Sequence, residues 1–304
     1  MLLIVEQILN GLQLGITLFL MSAGLTLVFG IMGVINLAHG SFYMIGAYVG
    51  ATVATQTGSF LLGVLAALPA AALVGMVVEF LVLRHLYNRD HLDQVLATFG
   101  LIMFFNEITR IIWGRQPLFM DVPSWLSGTV ELLPGLPYPS YRLAVIVVGI
   151  TVALLLWLLF AKTRLGMKIR AGASNREMIG ALGVNIKMLY TLVFGLGTLL
   201  AGLAGVMAGP ILAVESGMGE SILILTFVVI VIGGIGSIRG AVVGALLVGL
   251  VDTLGRAFLP SLFQMVSESV TAGNIAASLS SIAIYILMAA ILIIKPRGLF
   301  PAHS

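Results

Sequence analysis

Residues 161–187 read AKTRLGMKIRAGASNREMIGALGVNIK and lie between two long apolar segments. The stretch holds six basic residues and a single acidic one, Glu177. A loop this polar cannot lie in hydrocarbon, and its positive charge places it on the cytoplasmic side of a membrane. Ser174 followed by Glu177 has the spacing of a capping box, and Gly183 fits the position just past a helix end. The stretch therefore predicts a short cytoplasmic helix over 174–183, suited to docking a partner.

The composition of the whole chain is that of a polytopic membrane protein. Of its 304 residues, 60% are hydrophobic and 9% are charged, whereas soluble domains carry about 25% charged residues. The pI near 9.3 is explained by basic inner loops, so it does not indicate nucleic-acid binding. The sequence has no cysteine, which excludes disulfides, thiolate metal sites and cysteine nucleophiles. The four histidines are scattered and no catalytic triad or carboxylate dyad emerges, so we expect no catalytic site, metal or cofactor.

Apolar segments that could cross a bilayer recur along the chain. A spanning helix needs about 20 residues, and candidate segments lie near 8–30, 33–56, 60–83, 94–113, 142–160, 188–212, 221–237, 240–258 and 275–294. The second and the seventh are rich in glycine and open to a break or a re-entrant course. We predict an all-α polytopic membrane protein of about eight to ten transmembrane helices. Residues 1–304 would form one transmembrane domain, with 161–187 as its cytoplasmic coupling loop.

Basic residues indicate which loops face the cytoplasm. With the N-terminus outside, 11 of the 15 basic residues fall on the inner side, as the positive-inside rule requires. The outer loop 114–141 is then rich in proline and has Trp113 and Trp125 nearby, whose rings suit a membrane interface. The charges therefore predict an outer N-terminus and a cytoplasmic C-terminus.

Two stretches of the chain resemble each other. AGLTLVFGIMGVINLAHG at 23–40 is similar to AGLAGVMAGPILAVESG at 201–217. The first copy begins in a helix that runs inward and the second in a helix that runs outward, which is the signature of an inverted repeat. The alternative is chance similarity among alanine, glycine and leucine.

Asn36 and His39 concentrate an amide and an imidazole inside a predicted membrane segment, and Gly40, Ser41 and Tyr43 follow them. Polar groups at this depth are costly unless protein or water satisfies them, and the flanking glycines permit a helix break. Two roles are open for these residues. They anchor a broken helix by hydrogen bonds, which is the commoner role of buried polar groups, or they line a conduction path.

The glycine-rich stretch 233–240, GGIGSIRG, resembles a nucleotide-binding loop only superficially. It lacks the spacing of a dinucleotide-binding fingerprint and the G-K-[ST] of a P-loop. The hydrophobic context instead predicts a tight cytoplasmic turn between two helices that pack through small residues.

Charged residues near the apolar segments are spaced for pairing within a helix. Asp252 and Arg256 stand four residues apart, and Glu107 and Arg110 stand three apart. Such pairs are usually structural. A proton relay would instead need unpaired acids deeper in the bundle.

Four stretches together resemble the branched-chain amino-acid ABC permeases of the Liv type. They are GLTLVFGIMGVINLAHGSFYMIGAYV at 24–49, RAGASNREMIGALGVNI at 170–186, GGIGSIRGAVVGALLVG at 233–249 and KPRGLF at 295–300. Their order is similar to that of the H-type subunit rather than the longer M-type partner. One departure is Arg239, which stands where the family commonly has proline.

The resemblance implies a permease subunit in the inner membrane that lacks its own ATPase. It implies four kinds of partner: a second permease subunit of the M type or a second copy, two cytoplasmic ATPases, a periplasmic binding protein and the lipid bilayer. The segment 174–183 becomes the coupling helix, whose site residues are Arg170, Ser174, Asn175, Arg176, Glu177, Met178, Ile179, Ala181, Leu182 and Gly183. Of these, Met178, Ile179, Ala181 and Leu182 would contact an ATPase groove, and Arg170 and Arg176 would supply charge.

Two other functions stay open. Systems with similar signatures import urea, short amides or aromatic acids, because the binding protein largely selects the substrate. A stand-alone secondary transporter is the other alternative. It would need an intramembrane acid or ion site and would not need the capped basic loop.

Overall fold

A computed structural model describes residues 2–266 and 270–301 of the chain. Within them the protein is predominantly helical, and the prediction of an all-α polytopic membrane protein is confirmed. The helices are α1 (Leu2–Met32), α2 (His39–Thr57), α3 (Phe60–Leu81), α4 (His91–Trp113), α5 (Ser140–Lys162), α6 (Arg164–Ser174), α7 (Arg176–Ala181), α8 (Ile186–Ala208), α9 (Met218–Gly233), α10 (Ile238–Val266) and α11 (Val270–Ile294).

Each of the nine apolar segments overlaps one of these helices, but not all are equally suited to span a membrane. Six stretches in the described residues are long and apolar enough: Leu2–Met32, Phe60–His85, His91–Trp113, Ser140–Lys162, Ile186–Ala208 and Ile238–Phe263. The other three segments correspond to α2, α9 and α11. Of these, α9 and the stretch Ser278–Ile294 of α11 are apolar but shorter.

The chain divides into two compact units, which we name by their place in the sequence. The terminal unit comprises Met1–Phe19, Ser124–Gly149 and Leu225–Ser304, and the central unit comprises Leu20–Pro123 and Ile150–Ile224. Helices α1, α5 and α9 contribute residues to both. The assignment of residues 1–304 to a single transmembrane domain stays a prediction.

The central unit is built around α2, which packs against both α3 and α8. Glycines bring these backbones close together. A Cβ on Gly46 would overlap the backbone of Gly202, and one on Gly205 would overlap the carbonyl oxygen of Tyr43. Small residues at such crossings allow tight van der Waals packing, which drives helix association where lipid removes the hydrophobic driving force.

Within the terminal unit, the first half of α1 packs closely on α10. A Cβ on Gly15 would lie 2.9 Å from the carbonyl oxygen of Ala245, and one on Gly11 would lie 3.0 Å from the Cα atom of Leu250. Helix α11 in turn contacts α10, where the Ser280 hydroxyl donates a hydrogen bond of 3.0 Å to the Gly255 carbonyl. Glycine contacts therefore recur in this unit as well.

The loop before α5 contains a β-hairpin that the sequence analysis did not anticipate. Strands β1 (Thr129–Leu133) and β2 (Leu136–Pro139) pair antiparallel, and Gly135 makes the turn between them with φ +82°. The Tyr138 hydroxyl donates to Asn10 Oδ1 at 3.1 Å, which ties the hairpin to α1 inside the terminal unit.

The last described residues form a clasp over the end of α9. The amides of Leu299 and Phe300 donate to the carbonyls of Ile232 and Gly233, both at 2.9 Å. Carbonyl groups at a helix C-terminus otherwise lack partners inside the helix. The clasp accounts for the KPRGLF stretch as a cap, and the α9–α10 connection it covers is the tight turn that the glycines predict.

Helix order supports the predicted inverted repeat, which stays a prediction. A helix, a non-helical stretch and three further helices occur as α1–α4 and again as α8–α11. The non-helical stretches are residues 33–38 and 209–217, which contain the left-handed glycines Gly33 (φ +67°) and Gly217 (φ +93°).

Replacing Gly205 tests whether backbone contact between α2 and α8 holds the central unit. Gly205→Ala should destabilise the folded chain by about 1–3 kcal/mol, because the new methyl group meets backbone that cannot rotate away. Gly100→Ala in α4 is the matched control, since nothing lies within 4 Å of its Cβ position. We expect a lower thermal midpoint for the first variant only, measured on purified chain in detergent micelles. Equal midpoints would contradict the packing.

Candidate functional site

The basic stretch 161–187 folds as two consecutive short helices rather than as a loop with one helix. Thr163 caps α6, where its hydroxyl accepts a hydrogen bond from the Gly166 amide at 3.0 Å. Asn175 separates α6 from α7 with an extended backbone, φ −153° and ψ 98°. Residues 164–183, which contain α6, α7 and the helix stop, therefore stand between the ends of α5 and α8 as ordered structure, and we call them the coupling segment.

The N-cap of α7 is Asn175, so the predicted capping box of Ser174 and Glu177 is wrong. Asn175 Oδ1 accepts the Met178 amide at 2.9 Å, while Ser174 is the last residue of α6 and is itself helical. An N-cap residue needs non-helical backbone. Ser174 lacks it because a separate helix, α6, which the sequence does not predict, extends through this residue. Glu177 lies in the first turn of α7, where its charge suits the helix dipole.

Gly183 occupies the position after the helix end, as its sequence context predicts. It adopts φ +84°, its amide donates to the Gly180 carbonyl at 3.0 Å, and the Val184 amide donates to the Ile179 carbonyl at 3.3 Å. These two bonds form a Schellman motif, which favours glycine because its backbone is left-handed. The α7 helix thus has a defined start and a defined stop within six residues.

The coupling segment exposes large apolar side chains. Met178 is 64% exposed and Leu182 is 78% exposed, although both stand in a strongly basic stretch. Ala181 and the guanidinium-bearing residues Arg170 and Arg176 are exposed as well. Exposed apolar side chains bordered by charge are typical of a protein interaction surface.

Ile179 is the exception among the residues predicted to contact a partner. It is only 6% exposed, whereas Met178, Ala181 and Leu182 are exposed, so its contact with a partner stays a prediction that its burial does not favour. On a helix of six residues only part of the circumference faces outward. Ile179 takes the inward position and holds α7 on the central unit.

A cavity of about 430 Å³ joins the coupling segment to the end of α1. One wall is formed by residues 172–177, which contain the α6–α7 junction, and the other by residues 29–33, which form the last turn of α1 and Gly33. The coupling segment therefore lies next to the place where α1 stops.

Residues 33–38 form a non-helical break between α1 and α2. Gly33 opens it, and Asn36 Oδ1 accepts the Ala38 amide at 3.0 Å, which turns the chain into α2. The Ile35 amide donates to Gln94 Oε1 of α4 at 3.3 Å. Side chains thus take over part of the hydrogen bonding that a continuous helix would provide.

The residues predicted to form a helix break or line a conduction path are buried inside the central unit. Asn36, His39, Gly40, Ser41 and Tyr43 are all buried. Asn36 Nδ2 and both ring nitrogens of His39 have no hydrogen-bond partner of ordinary geometry, although the Met21 backbone interacts with the imidazole. Thr26 Oγ1 is unpaired in the same way. Buried polar atoms without partners usually mark bound water, an ion or a functional role.

Gly40 and Ser41 form the first turn of α2 and meet the first turn of α9. A Cβ on Gly40 would overlap the backbone of Gly219, so these two helix starts touch directly. Beside this contact lies a small pocket lined by Ser41, Met44 and Asn106, among others. At the polar edge of this pocket, the Asn106 amide donates a hydrogen bond of 2.6 Å to the Glu220 carboxylate.

A polar cluster around Glu79 is the main feature that sequence reasoning missed. Glu79 is 0% exposed and accepts from Arg84 at 3.3 Å, from Thr191 at 2.6 Å and from the Tyr87 hydroxyl. Burial and the bond to Glu79 raise the pKa of Tyr87, so its hydroxyl stays protonated and donates. The one available signal was an acid near the end of an apolar helix with an arginine five residues later.

The two ion pairs that helix spacing predicts are present. Arg256 Nε lies 2.9 Å from Asp252 and Arg110 lies 3.6 Å from Glu107. Asp252 is buried while Arg256 remains half exposed, so the pair neutralises an acid inside the terminal unit. Among the described residues, no group of three histidine, aspartate or glutamate side chains could hold a metal ion.

The chain is similar to permease proteins over almost its whole length. The family described as "Branched-chain amino acid transport system / permease component" matches residues 7–292. The high-affinity branched-chain amino acid transport system permease protein BraD of Pseudomonas aeruginosa is 32% identical over 82% of this chain and 85% of its own. LivH of Escherichia coli, of the same description, is 30% identical over 85% and 88%. The ribose import permease protein RbsC of Escherichia coli is 27% identical over 88% and 83%. No solved structure matches.

Removing the Asn175 side chain should unravel the start of α7. Asn175→Ala is expected to cost about 0.5–2 kcal/mol of local helix stability, because the Met178 amide loses its acceptor. Ser174→Ala is the matched control, since this serine caps nothing. Hydrogen exchange of amides 176–179 in the full chain should accelerate in the first variant only. Faster exchange in Ser174→Ala alone would contradict the Asn175 cap and support the capping box of Ser174 and Glu177.

Proposed function

The chain belongs to the family of permease components of branched-chain amino acid transport systems, and from that membership we propose that it is the inner-membrane permease subunit of an ATP-driven ABC importer. Its cargo is a branched-chain or other hydrophobic amino acid that a periplasmic binding protein delivers. The observation that carries the proposal is the coupling segment, a capped helix pair with exposed Met178 and Leu182 in a basic stretch.

The partners follow from this function. Two cytoplasmic ATPases supply the energy, and a second permease subunit of the M type, or a second copy of this chain, completes the transmembrane pathway. Met178, Ala181 and Leu182 enter an apolar groove of one ATPase, with Arg170 and Arg176 at its polar border. Such a groove would cover apolar side chains that in this chain face outward.

The rigidity of α7 suits a mechanical role. Its cap at Asn175 and its Schellman motif at Gly183 fix both ends, so a push on α7 displaces the helix instead of unwinding it. Closure of the ATPases would then move the coupling segment as a rigid body and switch the pathway between outward and inward access.

The helix break serves as an anchor in this proposal, not as the wall of the pathway. Burial of Asn36, His39 and Tyr43 within the chain supports the anchor, because a pathway residue of a shared pore would face outward from its own subunit. The unpaired nitrogens of Asn36 and His39 are groups that a bound water would satisfy.

The proposed class of substrate is inferred from the names of the relatives. BraD and LivH are branched-chain amino acid permeases, and the more distant RbsC is a ribose import permease. Urea, short amides and aromatic acids remain the alternative cargoes. A stand-alone secondary transporter is less well supported, because the buried acids Glu79 and Asp252 are each paired with an arginine instead of standing free for proton transfer.

Reconstitution with the partner subunits tests the proposed function. Proteoliposomes that contain this chain, the second permease subunit, both ATPases and the binding protein should take up leucine only when ATP is present. Ala181→Gln should retain ATP hydrolysis but lose most uptake, because a bulky polar side chain spoils the apolar contact. ATP-independent uptake by this chain alone would favour the secondary transporter instead.

Cysteine crosslinking locates the contact directly, since the chain has no cysteine of its own. Met178→Cys and Leu182→Cys should form crosslinks to an ATPase subunit within the assembled complex. Ile179→Cys is the matched control in the same helix and should not react, because this position is buried. Crosslinks from Ile179→Cys alone, or from none of the three, would contradict the proposed interface.

Thiol labelling tests the proposed orientation, with an outer N-terminus and a cytoplasmic C-terminus. Lys168→Cys in the coupling segment should react with a membrane-impermeant maleimide only after the inner membrane is permeabilised. Asp121→Cys in the loop before the hairpin should react in intact spheroplasts, and both positions are exposed in the fold. The reverse pattern would invert the topology.

A further inference from the structure

Glu79 ties the end of α3 to the start of α8. Its carboxylate accepts the Thr191 hydroxyl at 2.6 Å, and Arg84 reaches both partners, with 3.3 Å to Glu79 and 3.0 Å to Thr191. Thr191 lies in the second turn of α8, shortly after the coupling segment ends. A buried charge held by several donors is costly to separate, so α3 and α8 should move together at this point.

Gln94 ties the start of α4 to the helix break. Its Oε1 atom accepts the Ile35 amide at 3.3 Å, in the middle of the non-helical stretch. Its Nε2 atom donates to the carbonyls of Leu86 and Arg89, both at 3.2 Å. Gln94 is buried at 2% exposure, so water does not compete for these bonds.

The two ties meet in residues 82–90, which we call the connector. Tyr87 and Arg84 of the connector bind Glu79, and the Leu86 and Arg89 carbonyls of the connector bind Gln94. Successive turns within the connector are closed by amide bonds from His85, Leu86 and Arg89 at 2.9–3.1 Å. An unbroken series of hydrogen bonds therefore runs from α8 through Glu79, the connector and Gln94 to the break.

We propose that Glu79 and Gln94 are positioning residues that make the connector transmit displacement of α8 to the helix break. This inference rests on the proposed function, because α8 follows the coupling segment on which the ATPases would act. When the coupling segment moves, α8 carries Thr191, Thr191 carries Glu79 and the connector, and Gln94 carries the Ile35 backbone. Gly33, with its left-handed backbone at the start of the break, is the hinge that absorbs the change.

A single cysteine at Leu37 reports on the break. Leu37 is half-buried and lines the small pocket beside Ser41, so the labelling rate of Leu37→Cys depends on how the break is arranged. The assembled complex in nanodiscs is labelled with a maleimide in the absence of nucleotide and with a non-hydrolysable ATP analogue. We expect the analogue to change the labelling rate.

Two relay variants should suppress this nucleotide-dependent change. Thr191→Val removes the hydroxyl that binds Glu79, and Gln94→Met removes the bonds to Ile35 and to the connector at similar volume. Each should reduce the change about fivefold, which is the loss of roughly one net hydrogen bond. The double variant should be no worse than Gln94→Met alone, since both interrupt one series of contacts.

Matched variants separate transmission from general damage. Thr191→Ser keeps the hydroxyl and should behave as the unmodified chain. Thr198→Val on the same helix removes a hydroxyl that bonds only to its own helix backbone, at Gly195, and should leave the change intact. If Gln94→Met does not fold, the contrast between Thr191→Val and Thr191→Ser decides the question alone.

Three results would overturn the inference. They are an unaltered response in Thr191→Val, a double variant whose loss is the product of the two single losses, and no nucleotide response at Leu37→Cys in the unmodified relay. None of these affects the proposed function, which is judged separately by the Met178→Cys crosslinks and by leucine uptake. The proposed function would instead be rejected if neither Met178→Cys nor Leu182→Cys crosslinked to an ATPase and if the complex with the unmodified chain showed no ATP-dependent leucine uptake.

Discussion

Backbone contact between α2 and α8 is the constraint on which the central unit depends. Gly205 meets the carbonyl of Tyr43, and Gly46 meets Gly202, so no side chain separates the two helices at these crossings. Because Tyr43 lies one turn after His39, the crossing also fixes where α2 begins and hence where the break ends. Helix α8 carries Thr191 near its other end and follows directly on the coupling segment. A single helix therefore links the exposed coupling segment to the packing that positions the break.

Burial of polar groups has two different outcomes in this unit. Around Glu79 the side chains of Arg84, Thr191 and Tyr87 all bind the carboxylate, which stiffens the cluster, although the buried Tyr190 hydroxyl beside Tyr87 has no partner. At the break, by contrast, Asn36 Nδ2 and the His39 nitrogens lack partners. Unsatisfied groups cost about 1–3 kcal/mol each, so the break is the less stable of the two regions. A stiff connector attached to a less stable break is the arrangement in which movement concentrates at the break.

The sequence predicts features that depend on neighbouring residues and misses those that depend on distant ones. Nine apolar stretches, the glycine stop at Gly183 and the Asp252–Arg256 pair all follow from local spacing. Thr191 and Glu79 are 112 residues apart, and no pattern in the sequence joins them. The spacing of Ser174 and Glu177 predicts the wrong cap because Asn175 is an equally good capping residue, and only the end of α6 at Ser174 leaves Asn175 in the capping position. The hydrogen bond from Leu299 to Ile232 is likewise not predictable from the sequence, because it joins residues that are far apart in the chain.

The location of exposed apolar side chains separates lipid contact from protein contact. Residues such as Leu65 and Ile111 are exposed on helices suited to span the membrane, where acyl chains would cover them. Met178 and Leu182 are equally exposed, but they stand in a stretch with six basic residues, which hydrocarbon does not accept. Lipid cannot cover these two side chains at such a place, which distinguishes them from Leu65 and Ile111 and supports the proposed contact with a partner protein. A partner bound to the coupling segment, as proposed, would lie close to the helix break, because one cavity is lined by both residues 172–177 and residues 29–33.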